Sequence, residues 1–180
     1  MGKEEVVAAV LRSAADMFAE RGLAATSIRD IAARSQVNHG LIHRHFGSKD
    51  GLVAAVLDHL GQHLAELIAQ KADGSVVADA VDRQLRVLAY ASLDGYPVGE
   101  LQNRFPTMGV LLDAVRSQHP TELSARLAAA HTIALQLGWV LFGDFLRAST
   151  GLEDMDHRTF VRSVGDTAAS ILGAHYRGGQ

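Results

Sequence analysis

The histidines are the residues of this chain that could bind a metal or transfer protons, since there are nine of them and no cysteine. His39 and His43 are four residues apart, as are His59 and His63, so each pair lies on one face of a helix. A zinc site needs three or four ligands, usually including a thiolate or a carboxylate. His59 and His63 have carboxylates nearby, but a solvated or interface face of a helix explains them better. No metal site is therefore predicted.

Sequence motifs for catalysis are equally absent. The chain has no H-E-x-x-H pair, no glycine-rich phosphate loop and no G-x-S-x-G turn. No catalytic residue and no cofactor is therefore predicted. The lack of cysteine excludes disulfides and thiolate metal sites and is compatible with the predicted cytoplasmic location. An all-α enzyme or metal-binding protein that uses an apolar cavity and the histidines is kept as the alternative.

The segment 26–49 shows the pattern of two short helices joined by a tight turn, followed by the start of a third helix. Thr26 or Ser27 can cap the first helix, and Asp30 lies three residues after Ser27, which is the spacing of a capping box. The residues 36–39 interrupt the apolar periodicity, so a turn is predicted there.

The second short helix of this segment has one apolar side and one polar side. Ile42 and Phe46 form the apolar side. The opposite side is small, polar and basic, and it consists of His39, Gly40, His43 and Arg44. Such a helix suits the recognition helix of a helix-turn-helix, which packs on its domain with one side and enters the major groove of DNA with the other.

The charges of the chain are unevenly distributed. The formal net charge is -3, which by itself argues against DNA binding. Within the segment 26–49, however, Asp30 is the one acidic residue. The basic residues there are Arg29, Arg34, Arg44 and Lys49. A local basic face on an acidic body is expected of a DNA-binding regulator with a separate sensing domain, because charges act over a Debye length of about 8–10 Å.

The segment and its flanks together resemble the N-terminal DNA-binding domain of the TetR family of bacterial repressors. The helix VVAAVLRSAADMFAERG, the pattern T-x-I-x-x-IA and the pattern G-x-I-x-x-HF-x-SK follow in order over roughly residues 6–57. The resemblance implies a homodimer that binds a near-palindromic DNA operator and is released by a small apolar or amphipathic effector. An activator, or a regulator without a ligand, would share this signature. The last two helices, 121–149 and 156–175, resemble the dimerisation pair of the family.

The resemblance and the residue pattern together predict the DNA contacts. The predicted residues are Thr26, Ser27, Arg29, Asn38, His39, Gly40, Leu41, His43, Arg44, His45 and Lys49. His45 and Lys49 match a phosphate-contacting histidine and lysine of the family, whereas His43 stands where most relatives have a phosphate-binding tyrosine. Thr26 and Ser27 are expected to cap the helix, to bind phosphate, or both. Leu41 either touches a thymine methyl group or packs on a neighbouring helix.

The predicted fold is all-α with two domains. Residues 1–47 form a three-helix helix-turn-helix domain, and residues 48–180 form a larger helical ligand-binding and dimerisation domain. Only three prolines and no strand-like alternation occur, which favours helices. Ser48, Ser75 and Asp156 are the predicted caps of the connecting helix, of the next helix and of the last one.

A ligand cavity in the second domain is implied by the resemblance. Its predicted residues are Tyr90, Phe105, Met108, Leu112, His131, Gln136, Trp139 and Phe142. The alternative for the apolar members of this set is that they belong to an ordinary hydrophobic core and line no cavity. His131 and Gln136 are included because they interrupt a helix that is otherwise expected to be buried.

The apolar run 127–146 is about as long as a membrane-spanning helix. His131, Gln136 and Asp144 lie inside this run, and each would be costly in lipid. A helix buried in a soluble core or in a dimer interface is therefore predicted, with no membrane partner. The charged N-terminus lacks the apolar stretch of a secretory signal.

Overall fold

The computed structural model describes residues 2–102 and 104–173, and all regular structure in these ranges is helical. The helices are α1 (Lys3–Arg21), α2 (Ile28–Ser35), α3 (His39–Phe46), α4 (Lys49–Ala69), α5 (Gly74–Leu93), α6 (Val98–Leu101), α7 (Pro106–Val115), α8 (Glu122–Thr150) and α9 (His157–Gly173), with a 3-10 turn at Arg116–Gln118. The predicted all-α fold is confirmed. The last two residues of the predicted helix 156–175 lie outside the described residues.

The chain divides into two compact units, Met1–Thr107 and Met108–Gln180. Helices α1 to α6 belong to the first unit, and α8 and α9 belong to the second. Within the first unit, α4 packs against both α1 and α5. The compact unit that contains the helix-turn-helix also contains α4 and α5. The predicted division between a DNA-binding part, residues 1–47, and a ligand-binding and dimerisation part, residues 48–180, therefore stays a prediction about which residues carry which function.

Side-chain caps set the ends of several helices. Ser27, Ser48 and Asp156 each accept a hydrogen bond at 3.1 Å from the backbone N–H three residues later, as the sequence predicts. The predicted cap at Ser75 is wrong. Asp73 caps α5 instead, because its carboxylate accepts hydrogen bonds from the backbone N–H and the hydroxyl of Ser75, at 2.8 and 2.6 Å.

One hydrophobic core holds the first unit together. Its largest fully buried side chains are Phe18, Leu23, Ile31, Ile42, Leu52 and Leu57, which come from α1, α2, α3, α4 and the turn after α1. Val87 and Ala91 of α5 belong to the same core. Helices α2 and α3 are thus held against α1 and α4, and their opposite sides are exposed to solvent.

The second unit is built mainly on α8 and α9, which pack against each other. The Trp139 ring of α8 meets the ring of Phe160, in the first turn of α9, edge-on with 4.8 Å between their centroids. The Arg147 guanidinium lies 5.3 Å from the Phe160 centroid, and it also donates hydrogen bonds to carbonyls of the α8–α9 turn. These contacts fix the turn that ends at the start of α9.

Helix α8 is buried unevenly. In its N-terminal half Ala125, Ala128 and Ala129 are buried, whereas Phe142 and Phe145 near its C-terminal end are 58% and 68% exposed. Large apolar side chains rarely stay exposed in a cluster on a monomeric protein. Within the described residues, Phe142 and Phe145 thus leave apolar surface of α8 uncovered.

In the part of the chain that the structure describes, two helices are long and apolar enough to cross a membrane on length and composition alone, namely Lys49–Ala69 and Glu122–Thr150. The core helix of a soluble protein satisfies the same criterion, and α4 supplies seven buried residues to the first unit.

Candidate nucleic-acid interface

A shallow groove opens between the start of α2 and the start of α3. It is lined by Ser27, Ile28, Arg29, His39 and His43. The guanidinium and the two imidazoles are exposed, so this surface offers N–H donors to phosphates and base edges. Four of the predicted DNA contacts, Ser27, Arg29, His39 and His43, are thus brought together from the starts of α2 and α3. The half-buried Ile28 completes the groove.

Asn38 and Gly40 form the start of α3 together. The Asn38 side-chain oxygen accepts a hydrogen bond from the Gly40 backbone N–H at 2.8 Å, which caps the helix. A methyl group on Gly40 would lie only 3.2 Å from that oxygen. A side chain at position 40 would therefore have to displace the capping oxygen by a few tenths of an ångström. The Asn38 amide N–H2 group makes no hydrogen bond within the described residues and is available to donate to a base edge.

The remaining predicted contacts of α3 differ in exposure. Arg44 is exposed near the C-terminal end of the helix, and His45 is half-buried with its ring 6.4 Å from that of Phe46. His43 Nδ1 lies 3.0 Å from the carbonyl oxygen of Gly47. Leu41 is half-buried and packs against the core of the first unit, which supports the packing role over contact with a thymine methyl group.

The sequence-based prediction that Thr26 contacts a phosphate or caps α2 is corrected by the structure. Its side chain is 0% exposed, and its hydroxyl donates to the Gly22 carbonyl at 2.7 Å. Its backbone N–H donates to the Leu23 carbonyl at 3.1 Å. Both donors of Thr26 are therefore used inside the turn between α1 and α2, and neither is available to a phosphate. The capping role belongs to Ser27 alone.

Lys49 is tied to the same turn. Its Nζ donates to the Leu23 carbonyl oxygen at 2.6 Å, and the side chain is half-buried. An ammonium group carries three N–H donors, so this bond leaves two for other partners. Phosphate contact by Lys49 stays a prediction, but the residue also has a structural role that the sequence did not indicate.

The basic excess of this region is smaller than the sequence suggests. Arg34 forms two hydrogen bonds to the carboxylate of Glu20 in α1, at 2.6 and 2.7 Å. These bonds hold the pKa of Glu20 below its ordinary value. Because Arg34 is paired in this way, the positive charges that remain for DNA are those of Arg29, Arg44 and Lys49.

The predicted effector residues are distributed over both compact units. Tyr90 lies in the first unit, where its ring is 3.7 Å from the position that a side chain on Gly22 would occupy, and it packs on the core. Tyr90 is thus a half-buried residue of α5 that packs on the core beside the end of α1. Phe105 is 51% exposed, and Met108 and Leu112 of α7 are half-buried.

Within the second unit, α8 is not buried around its polar residues in the single chain, so burial of this helix in a dimer interface stays a prediction. His131 and Asp144 are exposed, as is Phe142, and Gln136 is half-buried. Trp139 is also half-buried, with its ring packed on Phe160. The proposal that these residues face an effector stays a prediction.

His59 and His63 form a stacked pair on α4. Their ring centroids are 6.4 Å apart and the ring planes differ by 15°. Burial is the main cause that lowers the pKa of His59, and the positive charges of His63, Arg12 and Arg83 add to it, against Glu66. Within the described residues no group of three or more His, Cys, Asp or Glu side chains is placed to hold a metal.

Comparison with known proteins gives a consistent result. The family model described as "Bacterial regulatory proteins, tetR family" matches residues 10–56. The HTH-type transcriptional repressor Rv3405c of Mycobacterium tuberculosis (strain ATCC 25618 / H37Rv) is 58% identical over 174 residues, which cover 97% of this chain and 93% of that protein. The HTH-type transcriptional repressor KstR2 of Rhodococcus jostii (strain RHA1) is 37% identical over 76 residues, or 40% of this chain and 37% of that protein.

Solved structures show the same fold. A transcriptional regulator from Rhodococcus sp. Rha1 matches 96% of this chain and 96% of its own, with a TM-score of 0.57 and 22% identity. A HlyIIR mutant protein matches 98% of this chain and 100% of its own, with a TM-score of 0.56 and 20% identity.

Proposed function

Because the chain belongs to the TetR family of bacterial transcriptional regulators, we propose that it is a cytoplasmic, homodimeric repressor that binds a near-palindromic operator and is released by a small apolar or amphipathic effector. The observation that carries this proposal is the exposed groove between α2 and α3, which brings Arg29, His39 and His43 together beside Ser27. Arg29 and His39 can donate to phosphates and to the edges of bases, as a helix-turn-helix requires, and His43 can do so when its ring is protonated.

Different residues of this surface have different roles in the proposed complex. Arg29, Arg44 and Lys49 contact phosphates and set the overall affinity, because Lys and Arg neutralise the DNA backbone whatever its sequence. Asn38 and His39, at the start of α3, reach base edges in the major groove and contribute specificity. Gly40 keeps the helix start close to the DNA backbone, and the half-buried His45 contacts a phosphate, as the family resemblance implies.

The dimer is proposed to form through α8 and α9. Large apolar side chains of these helices are exposed in the protomer, namely Leu123, Leu127, Phe142, Phe145 and Val161. Side chains added at Gly138 or Gly143 would meet no described atom within 4 Å, so another helix can approach α8 closely there. Burying this apolar face in a second copy would remove it from water, at about 25 cal/mol for each Å² of apolar surface.

Release by an effector is proposed as a shift between two dimer geometries. In one of these geometries the recognition helices match the two half-sites of the operator, and in the other they do not. A ligand that binds more tightly to the second geometry lowers the DNA affinity, at most by the ratio of its own affinities for the two geometries. Met108 and Leu112 of the second unit are half-buried apolar residues available for such a ligand. An activator, or a regulator without an effector, would use the same DNA-binding surface.

Selection of bound DNA tests the proposal directly. The full-length protein is incubated with random genomic fragments, the retained fragments are sequenced, and the preferred one is footprinted. We expect two protected half-sites related by a twofold axis and spaced by about one helical turn, or about 34–36 Å, or a multiple of it. Enrichment of no fragment, or protection of a single half-site, would contradict the proposal. Addition of candidate apolar ligands to the bound complex then tests for release.

The alternative of an all-α metal-binding protein or enzyme is not favoured. The relative that is 58% identical over 97% of the chain is a transcriptional repressor. His59 and His63 are the candidate metal ligands outside the groove, and their rings are stacked. Within the described residues, however, they belong to no group of three or more His, Cys, Asp or Glu side chains that could hold a metal ion.

A further inference from the structure

A single peptide group in the turn between α1 and α2 is held by charged side chains on both sides. The carbonyl oxygen of Leu23 accepts a hydrogen bond from Lys49 Nζ at 2.6 Å. The N–H of Ala24, which belongs to the same peptide group, donates to Asp94 Oδ2 at 2.7 Å. The two side chains come from distant points of the chain, since Lys49 begins α4 and Asp94 follows α5.

The rest of this turn is equally constrained. Leu23 is fully buried in the core. Gly22 has a φ angle of +82°, a backbone conformation that residues other than glycine rarely adopt. The Thr26 hydroxyl closes the turn by donating to the Gly22 carbonyl at 2.7 Å. Ser27 follows immediately and caps α2. The position of the turn is thus passed on directly to the start of α2.

Hydrogen bonds to ionised groups are shorter and stronger than those between neutral groups. Here the ammonium of Lys49 binds the carbonyl end of the peptide dipole and the carboxylate of Asp94 binds its N–H end. Each hydrogen bond polarises the peptide group and thereby strengthens the other hydrogen bond. The peptide group therefore acts as a neutral bridge between a positive and a negative side chain. Movement of α4 or of the end of α5 away from the turn would break one of these bonds.

Asp94 also occupies an unfavourable place in its own helix. It is the C-cap residue of α5, and the last turn of that helix carries no basic residue. A negative charge at a helix C-terminus is repelled by the partial negative charge of the unpaired carbonyls. The local structure of α5 thus gives no reason for a carboxylate at this position, whereas the bond to the Ala24 N–H does.

We propose that Asp94 and Lys49 form a positioning pair for DNA binding, which fixes the Leu23–Ala24 peptide group and thereby the start of α2. The start of α2 carries Ser27 and Arg29, which line the groove described above. Asp94 acts through the turn and does not itself touch DNA. This inference rests on the proposed role of that groove, while the bond to Ala24 can be tested independently of DNA.

The test compares Asp94→Ala with Asp94→Asn in the full-length protein. Asn keeps an oxygen acceptor in place but has no charge, so it separates the hydrogen bond from the charge. Asp79→Ala is the matched control, because Asp79 is exposed on the same helix and makes no side-chain hydrogen bond or ion pair within the described residues. Amide exchange at Ala24 is measured by NMR, and DNA affinity by fluorescence anisotropy with the duplex selected from genomic fragments.

We expect Asp94→Ala to accelerate exchange at Ala24 and to weaken DNA binding by roughly three- to tenfold, in line with the loss of one partly exposed hydrogen bond to a charged group. Asp94→Asn should restore most of the amide protection and part of the affinity. Asp79→Ala should leave both unchanged. In a Lys49→Ala background the effect of Asp94→Ala should be smaller than in the wild type, since half of the bridge is already removed.

Two results would overturn the inference. The first is wild-type protection of Ala24 in Asp94→Ala, which would mean that the carboxylate does not hold this amide. The second is a loss of DNA affinity that merely follows the fraction of unfolded protein, measured by denaturant titration of the same samples. Failure of the wild type to select any duplex would instead contradict the proposed function, while the exchange of Ala24 would still report on the hydrogen bond.

Discussion

His43 is held in one tautomer by Gly47, because its Nδ1 lies 3.0 Å from a carbonyl oxygen that can only accept a hydrogen bond. Nδ1 therefore carries a proton in the neutral ring, and Nε2 is left as an acceptor. A phosphate oxygen is also an acceptor. Neutral His43 thus cannot donate to a phosphate from Nε2, whereas the protonated ring can.

The first prediction is that DNA affinity increases as the pH falls. Protonation of His43 makes Nε2 a donor, so the contact with a phosphate is gained at the acidic end and is lost as the pH rises. We expect wild-type binding to be roughly tenfold weaker near pH 8 than near pH 6. The measurement is a fluorescence anisotropy titration with the selected duplex at several pH values and constant ionic strength.

The matched variant for this prediction is His43→Tyr, whose hydroxyl donates at either pH. We expect it to show a flatter profile and at least wild-type affinity at the alkaline end. His39 and Arg29 line the same groove, with the His39 ring 6.5 Å from that of His43, and they remain in both proteins. His63→Tyr, on α4, serves as a control. Identical profiles for wild type and His43→Tyr would place His43 away from the phosphates.

The second prediction separates residues that bind phosphates from residues that read bases. Arg29→Ala and Arg44→Ala should weaken binding to all duplexes alike and reduce the salt dependence by about 0.9 in log–log slope for each phosphate that is no longer neutralised. Lys49→Ala should do the same, with a further decrease in affinity from the α1–α2 turn. The measurement is a salt titration with the selected duplex and with a scrambled duplex. A changed base preference in the arginine variants would contradict these assignments.

The third prediction concerns Asn38, which both caps α3 and is proposed to read a base. Asn38→Ser keeps an oxygen that can cap the helix but removes the amide donor. We expect its stability to stay close to wild type, while the preference for one base pair per half-site falls by about 1–3 kcal/mol. Repeating the fragment selection with this variant gives the measurement. An unchanged selected sequence would show that Asn38 is only a cap.

The fourth prediction concerns the dimer. Phe145 is 68% exposed in the protomer, so Phe145→Glu should leave the protomer folded. In the dimer this charge would be buried, and we expect the dissociation constant to rise by roughly 30-fold or more. Sedimentation velocity at micromolar concentration provides the measurement, and Thr159→Glu, on the polar face of α9, provides the control. A wild-type protein that sediments as a monomer would contradict this prediction.

The fifth prediction concerns the stability of the first unit in acid. The pKa of His59 is lowered from 6.5, chiefly by burial, so below about pH 6.5 the unfolded chain binds more protons than the folded one. The contribution of His59 to stability is complete above that pH and is lost as the pH falls toward the folded pKa. Since His59 is only half-buried, the expected loss is less than about 1 kcal/mol.

Denaturant titration at about pH 7.5 and pH 5.5 measures this difference in the free energy of unfolding. His59→Gln should be less sensitive to the pH change than wild type, because glutamine has no charge in this range. His131→Gln is the control, since His131 is exposed on α8. Equal sensitivity of wild type and His59→Gln would show that other groups cause the acid effect.

The local structure of this protein follows from its sequence because its signals act over short distances. The capping box of Ser27 and Asp30 and the caps at Ser48 and Asp156 depend on residues three positions apart. The apolar side of α3, with Ile42 buried and Phe46 half-buried, follows from helical periodicity. These features are enough to place the helix-turn-helix. The family is predicted from the resemblance of the patterns T-x-I-x-x-IA and G-x-I-x-x-HF-x-SK to those of the TetR family.

Tertiary structure alone decides which of the polar residues remain available for DNA. Arg34 is paired with Glu20, 14 residues away, and Thr26 is buried although its pattern is that of an exposed cap. Lys49 reaches back 26 residues to the Leu23–Ala24 peptide group, and Asp94 reaches it across 70. Such pairings depend on how α1, α4 and α5 pack together, and no local pattern of charge or periodicity records which side chains that packing brings within hydrogen-bond distance.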